Sequence, residues 1–188
     1  MVPLVDLWIP IVLSAVLVFV ASSLIHMCTP IHKGDFGKLP GEDKVLEAMR
    51  GQGVRPGSYM FPCAGSKKEM CTPEMVEKLN RGPVGHLTVI PNGPVAIGKN
   101  LAQWSVFCLV VGILVAYAAG LGLERGAAFM PVFRLTWTAA FLGYALTHVT
   151  DSIWKGVSWR ITGKFLFDGL VYSLVTAAAF GWLWPETA

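Results

Sequence analysis

Histidine and aspartate side chains near the ends of long apolar segments are the residues of this chain best suited to chemistry. His148 and Asp151 are three positions apart, so on a helix they share one face. His26 and Asp168 lie near the ends of two other apolar segments. Imidazole and carboxylate groups together are ligands for Zn, Fe or Mn. The pattern therefore predicts a transition-metal site formed by His26, His148 and Asp151.

Two alternatives to that metal site stay open. Two histidines on different helices could be the axial ligands of a haem, which is the less favoured cofactor. The polar groups could also have no chemical role, because side chains at the end of a buried segment can reach water. In that case Asp168 would pair with Lys164 or Arg160.

A third histidine has an ambiguous position. His32 follows His26 by six residues, which would put the two on opposite faces of a continuing helix. Pro30 argues against such a helix, and a turn there could bring His32 and Asp35 toward the same layer. His86 has an equal claim on sequence grounds.

Four long apolar segments must position these side chains. They are Leu7 to Met27, Leu101 to Leu123, Val132 to Thr150 and Leu166 to Trp184. Each is close to the roughly 20 residues that a helix needs to cross a hydrocarbon core about 30 Å thick. The composition agrees, since 54% of the residues are hydrophobic and 14% are charged. The predicted fold class is an all-α membrane protein, a bundle of four transmembrane helices.

The predicted domains follow from these segments. Residues 1–27 form the first transmembrane helix, residues 28–100 form a small α+β cap, and residues 101–188 form the other three helices. Proline and glycine divide the cap into short elements.

Two helices and a small sheet are predicted within the cap. The helices cover Glu42 to Arg50 and Pro73 to about Asn80, the second with Thr72 as its N-cap. Short β-prone stretches over Ser58 to Phe61 and Leu87 to Ile90 predict a sheet of two or three strands.

The basic residues predict an orientation. Ten of the 15 Lys and Arg residues lie between the first two apolar segments, three lie in the loop before the last one, and both terminal tails have none. Basic residues near the ends of a span resist translocation, so both termini are predicted to lie outside and residues 28–100 in the cytoplasm. His26, His148, Asp151 and Asp168 would then form one layer near the cytoplasmic surface, where ionisable groups are often functional.

Other features limit the partners and activities. The net charge of +3 is too small to indicate nucleic acid, and no phosphate-binding loop or nucleophile motif indicates an enzyme. Small residues at intervals of four, such as Gly112, Ala116 and Gly120, indicate close helix packing. The predicted partners are membrane lipids, together with other membrane subunits or further copies of this chain.

Several short stretches resemble an uncharacterised family of small four-span integral membrane proteins of bacteria. These are the run Ser22 to Met27 with His32, Asp35 and Leu39-Pro40 after it, and the stretches Gly82-Pro83, Pro91-Asn92-Gly93 and Asp151 to Trp154. The resemblance covers nearly the whole chain. It implies a location in the bacterial inner membrane and implies no activity.

Three functional hypotheses are open. The favoured one is an accessory or structural subunit of a larger bacterial membrane complex, including energy-converting complexes, because it best explains the lack of motifs. The second is a metal- or haem-binding membrane redox protein that uses the layer of histidines and carboxylates. The third is an oligomeric ion channel or proton-coupled carrier, with Asp168 or His148 as the proton-linked group.

Overall fold

The computed structural model describes residues 1–187 and is mainly helical. In chain order the elements are α1 (Trp8–Cys28), α2 (Glu42–Gly51), β1 (Gly57–Phe61), α3 (Lys67–Met70), α4 (Pro73–Arg81), β2 (Gly85–Val89), α5 (Ile97–Gly122), α6 (Phe129–Phe141), α7 (Thr147–Lys155) and α8 (Trp159–Trp182). The residues form two compact units, one of them Phe36–Val95 and the other the chain on either side of it.

Three helices are long and apolar enough to cross a membrane. They are α5, α8 and the continuous helical stretch Leu4–Cys28, in which one 3₁₀ turn precedes α1. The first, second and fourth apolar segments form long apolar helices, which confirms these three predictions. α8 begins at Trp159 rather than at the predicted Leu166. These helices make the chain a membrane-embedded protein.

The third apolar segment, Val132 to Thr150, is an interrupted helix. α6 has 13 residues and α7 has nine, and a π-helical turn, Leu142–Leu146, joins them. Neither helix alone reaches the roughly 20 residues that a span requires, so a fourth span stays a prediction. π turns are uncommon and occur frequently at functional sites.

Glycines allow the long helices to approach one another closely. α1 packs against α5 and α8, and α6 packs against the same two helices. A Cβ atom on Gly169 of α8 would lie 2.6 Å from Cβ and 2.7 Å from Cα of Ala145, in the π turn. A Cβ atom on Gly120 of α5 would lie 2.5 Å from the carbonyl oxygen of Val2. Small residues thus allow the close contacts on which the packing of helices in lipid depends.

The unit Phe36–Val95 contains the predicted small sheet and helices. β1 and β2 are antiparallel, with Gly57 opposite Val89. Thr72 caps α4, since its Oγ1 accepts a hydrogen bond from the Met75 backbone N–H at 3.3 Å. This unit is shorter than the predicted cap of residues 28–100, because the chain up to Asp35 belongs to the other unit.

Candidate metal centre

A turn after α1 brings two further polar residues back toward the end of that helix. α1 ends at Cys28, two residues before Pro30, whose ring excludes a regular helix. The Lys33 N–H donates to the Pro30 carbonyl at 3.0 Å, and the Asp35 N–H donates to the His32 carbonyl at 3.2 Å. This tight turn places the side chains of His32 and Asp35 beside α8.

The His32 imidazole lies between two carboxylates. Its Nδ1 is 2.7 Å from Oδ2 of Asp35, and its Nε2 is 2.9 Å from Oδ2 of Asp168. His26 approaches the same oxygen, with its Nε2 at 3.5 Å. The imidazole rings of His26 and His32 are neighbours, with centroids 4.3 Å apart. We call His26, His32 and Asp168 the His–Asp cluster.

Asp35 supports the His–Asp cluster from outside. Lys164 of α8 donates a hydrogen bond to Oδ1 of Asp35, while Oδ2 accepts from His32. The Lys164 hydrogen bond is the main cause that holds the pKa of the Asp35 carboxyl below its usual range, and the His32 bond acts in the same direction. Asp35 is therefore a carboxylate at neutral pH and can accept a hydrogen bond from Nδ1–H of His32.

If Nδ1 of His32 carries the proton, the interaction on the other side of the ring, at Nε2, is unfavourable. A neutral His32 that donates from Nδ1 presents the lone pair of Nε2 to Asp168. Asp168 is 2% exposed, and within residues 1–187 its Oδ1 has no hydrogen-bond partner. A nitrogen lone pair and a carboxylate oxygen repel at 2.9 Å, and burial strengthens that repulsion. The contact is stable only with a proton or a metal cation between the two groups.

The three side chains lie close enough to one another to be candidate ligands of a single metal ion. One ligand atom from each of His26, His32 and Asp168 can be chosen so that all lie within 4.8 Å of one another. Ligand atoms of a tetrahedral zinc ion, bound at about 2.0–2.2 Å, are roughly 3.3 Å apart. The observed contacts of 2.9 and 3.5 Å lie on either side of that value. Two histidines and one carboxylate are also the ligand set of many non-haem iron sites.

The predicted site residues separate into two groups. His26 belongs to the His–Asp cluster, and so does Asp168, which the sequence placed in the same layer. His148 stacks on Phe165 with centroids 4.8 Å apart instead of joining the cluster. Asp151 pairs with Lys155 of its own helix at 2.7 Å, on an exposed surface. The structure therefore does not bring His26, His148 and Asp151 together as three ligands.

His32 and Asp35 are the residues of this site that the sequence left undecided. The signal for them was Pro30, which ends α1 and allows the chain to fold back. The arrangement also bears on the haem alternative. The imidazoles of His26 and His32, with centroids 4.3 Å apart, leave no space for a macrocycle between them, but the alternative called for histidines on two different helices, so it stays a prediction.

A cavity of about 700 Å³ lies beside the His–Asp cluster, and His26, Asp168 and His148 form part of its wall. No protein family, no curated protein and no solved structure matches this chain. The function has to be argued from the geometry of the cluster and of this cavity.

Proposed function

We propose that this chain is a membrane protein that binds a first-row transition-metal ion through His26, His32 and Asp168. The observation behind the proposal is the 2.9 Å contact between Nε2 of His32 and the buried Oδ2 of Asp168, which is stable with a proton or a metal cation between the two groups. Imidazole and carboxylate ligands suit Zn²⁺, Fe²⁺ and Mn²⁺. Three protein ligands leave a coordination position open, as in catalytic rather than structural sites.

Charge supports a cation at this place. With neutral histidines, the carboxylates of Asp35 and Asp168 and the ammonium of Lys164 sum to one negative charge, and the three groups are nearly buried. An excess negative charge away from water is costly. A bound cation would offset this negative charge, and Asp35 would act as the outer carboxylate that orients a ligating histidine.

Metal analysis of the purified protein tests the proposal. The full chain is extracted in mild detergent, loaded separately with Zn²⁺, Mn²⁺ and Fe²⁺, freed of excess ion and analysed by mass spectrometry for metal content. We expect about one tightly bound ion per chain for at least one of these metals. His32→Ala and Asp168→Asn should each remove it, whereas His148→Ala and Asp151→Asn should retain it.

Two outcomes would contradict the proposal. If no metal stays bound to the folded wild-type protein, the contact between His32 and Asp168 holds a proton and not a metal ion. If His148→Ala and Asp151→Asn abolish binding while His32→Ala does not, the ion is bound at the site predicted from the sequence. The thermal transition of each variant, measured in parallel, separates loss of metal from loss of folding.

A second candidate function is that of an accessory subunit of a larger bacterial membrane complex. The structure describes every residue of the unit Phe36–Val95. Within that unit, Met75 is the one buried hydrophobic side chain. Tyr59, Met60 and Phe61 of β1 are 40%, 41% and 39% exposed. Neighbouring residues of a strand point to opposite faces, so both faces of the small sheet present apolar surface that a partner protein would bury.

Copurification tests this second function. Extraction from the native membrane in mild detergent should recover a stoichiometric partner, identified by mass spectrometry. Met60→Ser together with Phe61→Ser should reduce its recovery, whereas Phe36→Ser, which changes an exposed side chain outside the sheet, should not. Equal recovery with both variants would exclude the sheet as the contact surface.

The membrane environment that fits these functions is the bacterial inner membrane, with both termini outside and residues 28–100 in the cytoplasm. The distribution of Lys and Arg supports this orientation, and the resemblance to small bacterial membrane proteins supports the location. A role as an oligomeric channel or proton-coupled carrier stays a prediction.

A further inference from the structure

Contacts between helices show which helix ends of the membrane unit lie together. The indole N–H of Trp104, near the start of α5, donates to Oγ of Ser22, near the end of α1, at 2.9 Å. Oδ2 of Asp168, in the first half of α8, lies 2.9 Å from Nε2 of His32 in the turn after α1. The end of α1 and the starts of α5 and α8 are therefore on one side of the unit, which we call the cluster end.

Cationic side chains are in excess at the cluster end. The cationic side chains there are Lys33, Lys99, Lys155, Arg160 and Lys164, and the carboxylates are Asp35, Asp151 and Asp168. The ionisable side chains nearer the opposite end of the same helices are Asp6, Glu124, Arg125, Arg134 and Glu186. With neutral histidines, the cluster end has a net positive side-chain charge and the opposite end has a net negative one.

Most of the carboxylates at the cluster end are already paired with a cation. Lys155 pairs with Asp151 at 2.7 Å, and Lys164 pairs with Asp35. The other three cationic side chains are exposed and form no ion pair within residues 1–187; these unpaired cations are Lys33, Lys99 and Arg160. Their charge is complementary to an anionic group from outside the chain.

Exposed tryptophans lie at the same end. Trp154 of α7 is 78% exposed and Trp159 of α8 is 63% exposed. The hydroxyl oxygens of Ser152 and Thr162 are 2.5 Å apart and hold the end of α7 against the start of α8, so both indoles belong to the cluster end. Tryptophans at the ends of membrane helices lie at the level of the lipid headgroups, and Arg160 follows Trp159 directly in the sequence.

Apolar side chains on the outside of the helices favour a lipid over a protein as the anionic partner. Met27 of α1 is 83% exposed, Leu101 of α5 is 44% exposed and Ile153 of α7 is 56% exposed. A phospholipid offers a phosphate group to the unpaired cations and acyl chains to these apolar residues. An acidic soluble protein would complement only the cations.

We infer that the cluster end binds phospholipids of net negative charge. Their phosphate groups lie against the unpaired cations, and the indoles of Trp154 and Trp159 lie at headgroup level. Each cationic side chain near an anionic lipid surface favours binding about fivefold. This inference goes beyond the proposed metal site and does not require the ion to be bound.

Native mass spectrometry of the full chain in detergent tests the inference. Chelator-treated protein is mixed with equal concentrations of dioleoylphosphatidylglycerol and dioleoylphosphatidylcholine, which have the same acyl chains and differ in headgroup charge. We expect the complex with phosphatidylglycerol to exceed the complex with phosphatidylcholine at least about tenfold. Higher ionic strength during mixing should reduce this preference, because salt screens exposed charges.

Matched arginine variants locate the binding. Arg160→Gln removes an unpaired cation from the cluster end and should lower the preference for phosphatidylglycerol about fivefold. Arg134→Gln removes an exposed arginine of α6, which begins at the opposite end, and should leave the preference unchanged. Replacing Lys33, Lys99 and Arg160 together by Gln should abolish it. The thermal transition of each variant shows whether the protein is still folded.

Three results would overturn the inference. Equal binding of the two lipids by the wild-type protein would mean that the cluster end contacts lipid without regard to charge. Equal losses in Arg160→Gln and Arg134→Gln would mean that overall charge sets the preference. If the triple variant kept its lipid preference but lost a copurifying protein, the unpaired cations would contact an acidic protein instead.

Discussion

Nε2 of His32 lies 2.9 Å from Oδ2 of Asp168, although 136 positions separate the two residues in the sequence. The contact joins the turn after α1 to the buried face of α8. Nδ1 of the same ring is held by Asp35, so the ring cannot rotate away without losing both partners. Because the His32 ring joins the turn after α1 to α8, a single cation bound at the ring would stabilise the place where these two helices meet.

Replacing Asp35 tests its supporting role. Asp35→Asn removes the charge that orients His32 and leaves Lys164 without its carboxylate. We expect metal affinity to fall about 10- to 100-fold, as for other outer-carboxylate changes, in a zinc titration against a coloured chelator. Asp151→Asn removes an exposed carboxylate that pairs with Lys155 and should not alter affinity. Equal losses in both variants would mean that overall charge, not the orientation of His32, controls binding.

Alanine substitutions at two glycines of α8 test how closely this helix packs against the π turn. A Cβ atom on Gly169 would meet Ala145 at 2.6 Å, whereas one on Gly163 would meet nothing within 4 Å. Gly169→Ala should lower the free energy of unfolding by about 1–3 kcal/mol. Gly163→Ala should be neutral or stabilise by up to about 1 kcal/mol. Thermal denaturation in detergent measures both, and similar transitions would contradict the close contact at the π turn.

Neighbouring serines of α1 test the anchoring of Trp104. Both hydroxyls donate to the Phe19 carbonyl, at 2.8 Å from Ser22 and 2.9 Å from Ser23, but only Ser22 also accepts from the indole of Trp104. Ser22→Ala should therefore cost about 1–3 kcal/mol more than Ser23→Ala, since it leaves a donor unpaired. The same denaturation assay applies. A larger cost for Ser23→Ala would indicate that the indole bond contributes little.

Cysteine labelling tests the predicted orientation. Cys63 and Cys71 are exposed thiols, whereas Cys108 is buried. In intact bacterial cells that produce the protein, a membrane-impermeant maleimide should not label Cys63 or Cys71, and it should label them once the cells are opened. Glu186→Cys, in a chain otherwise without cysteine, should be labelled in intact cells. The reverse pattern would place residues 28–100 outside.

Local sequence patterns were enough to predict the three long helices and the start of α4. The apolar segments around α1, α5 and α8 are long and apolar enough to cross a membrane as helices. Thr72 and Pro73 marked the start of α4. His26 and Asp168 could be placed in one layer because helix length and the direction of each segment fix the depth of a residue.

Contacts within that layer required the tertiary structure. Whether His32 or His148 reaches Asp168 depends on the turn after Pro30 and on the rotation of α7, and the π turn before α7 changes that rotation relative to a regular helix. The spacing of apolar residues in the sequence shows which side chains share one face of a helix. It does not give the angle of that helix relative to another. The sequence by itself therefore determined the membrane helices and the layer of ionisable residues. Only the close packing of α1, α8 and the π turn decided which of those residues meet, because packing sets distances between residues far apart in the chain.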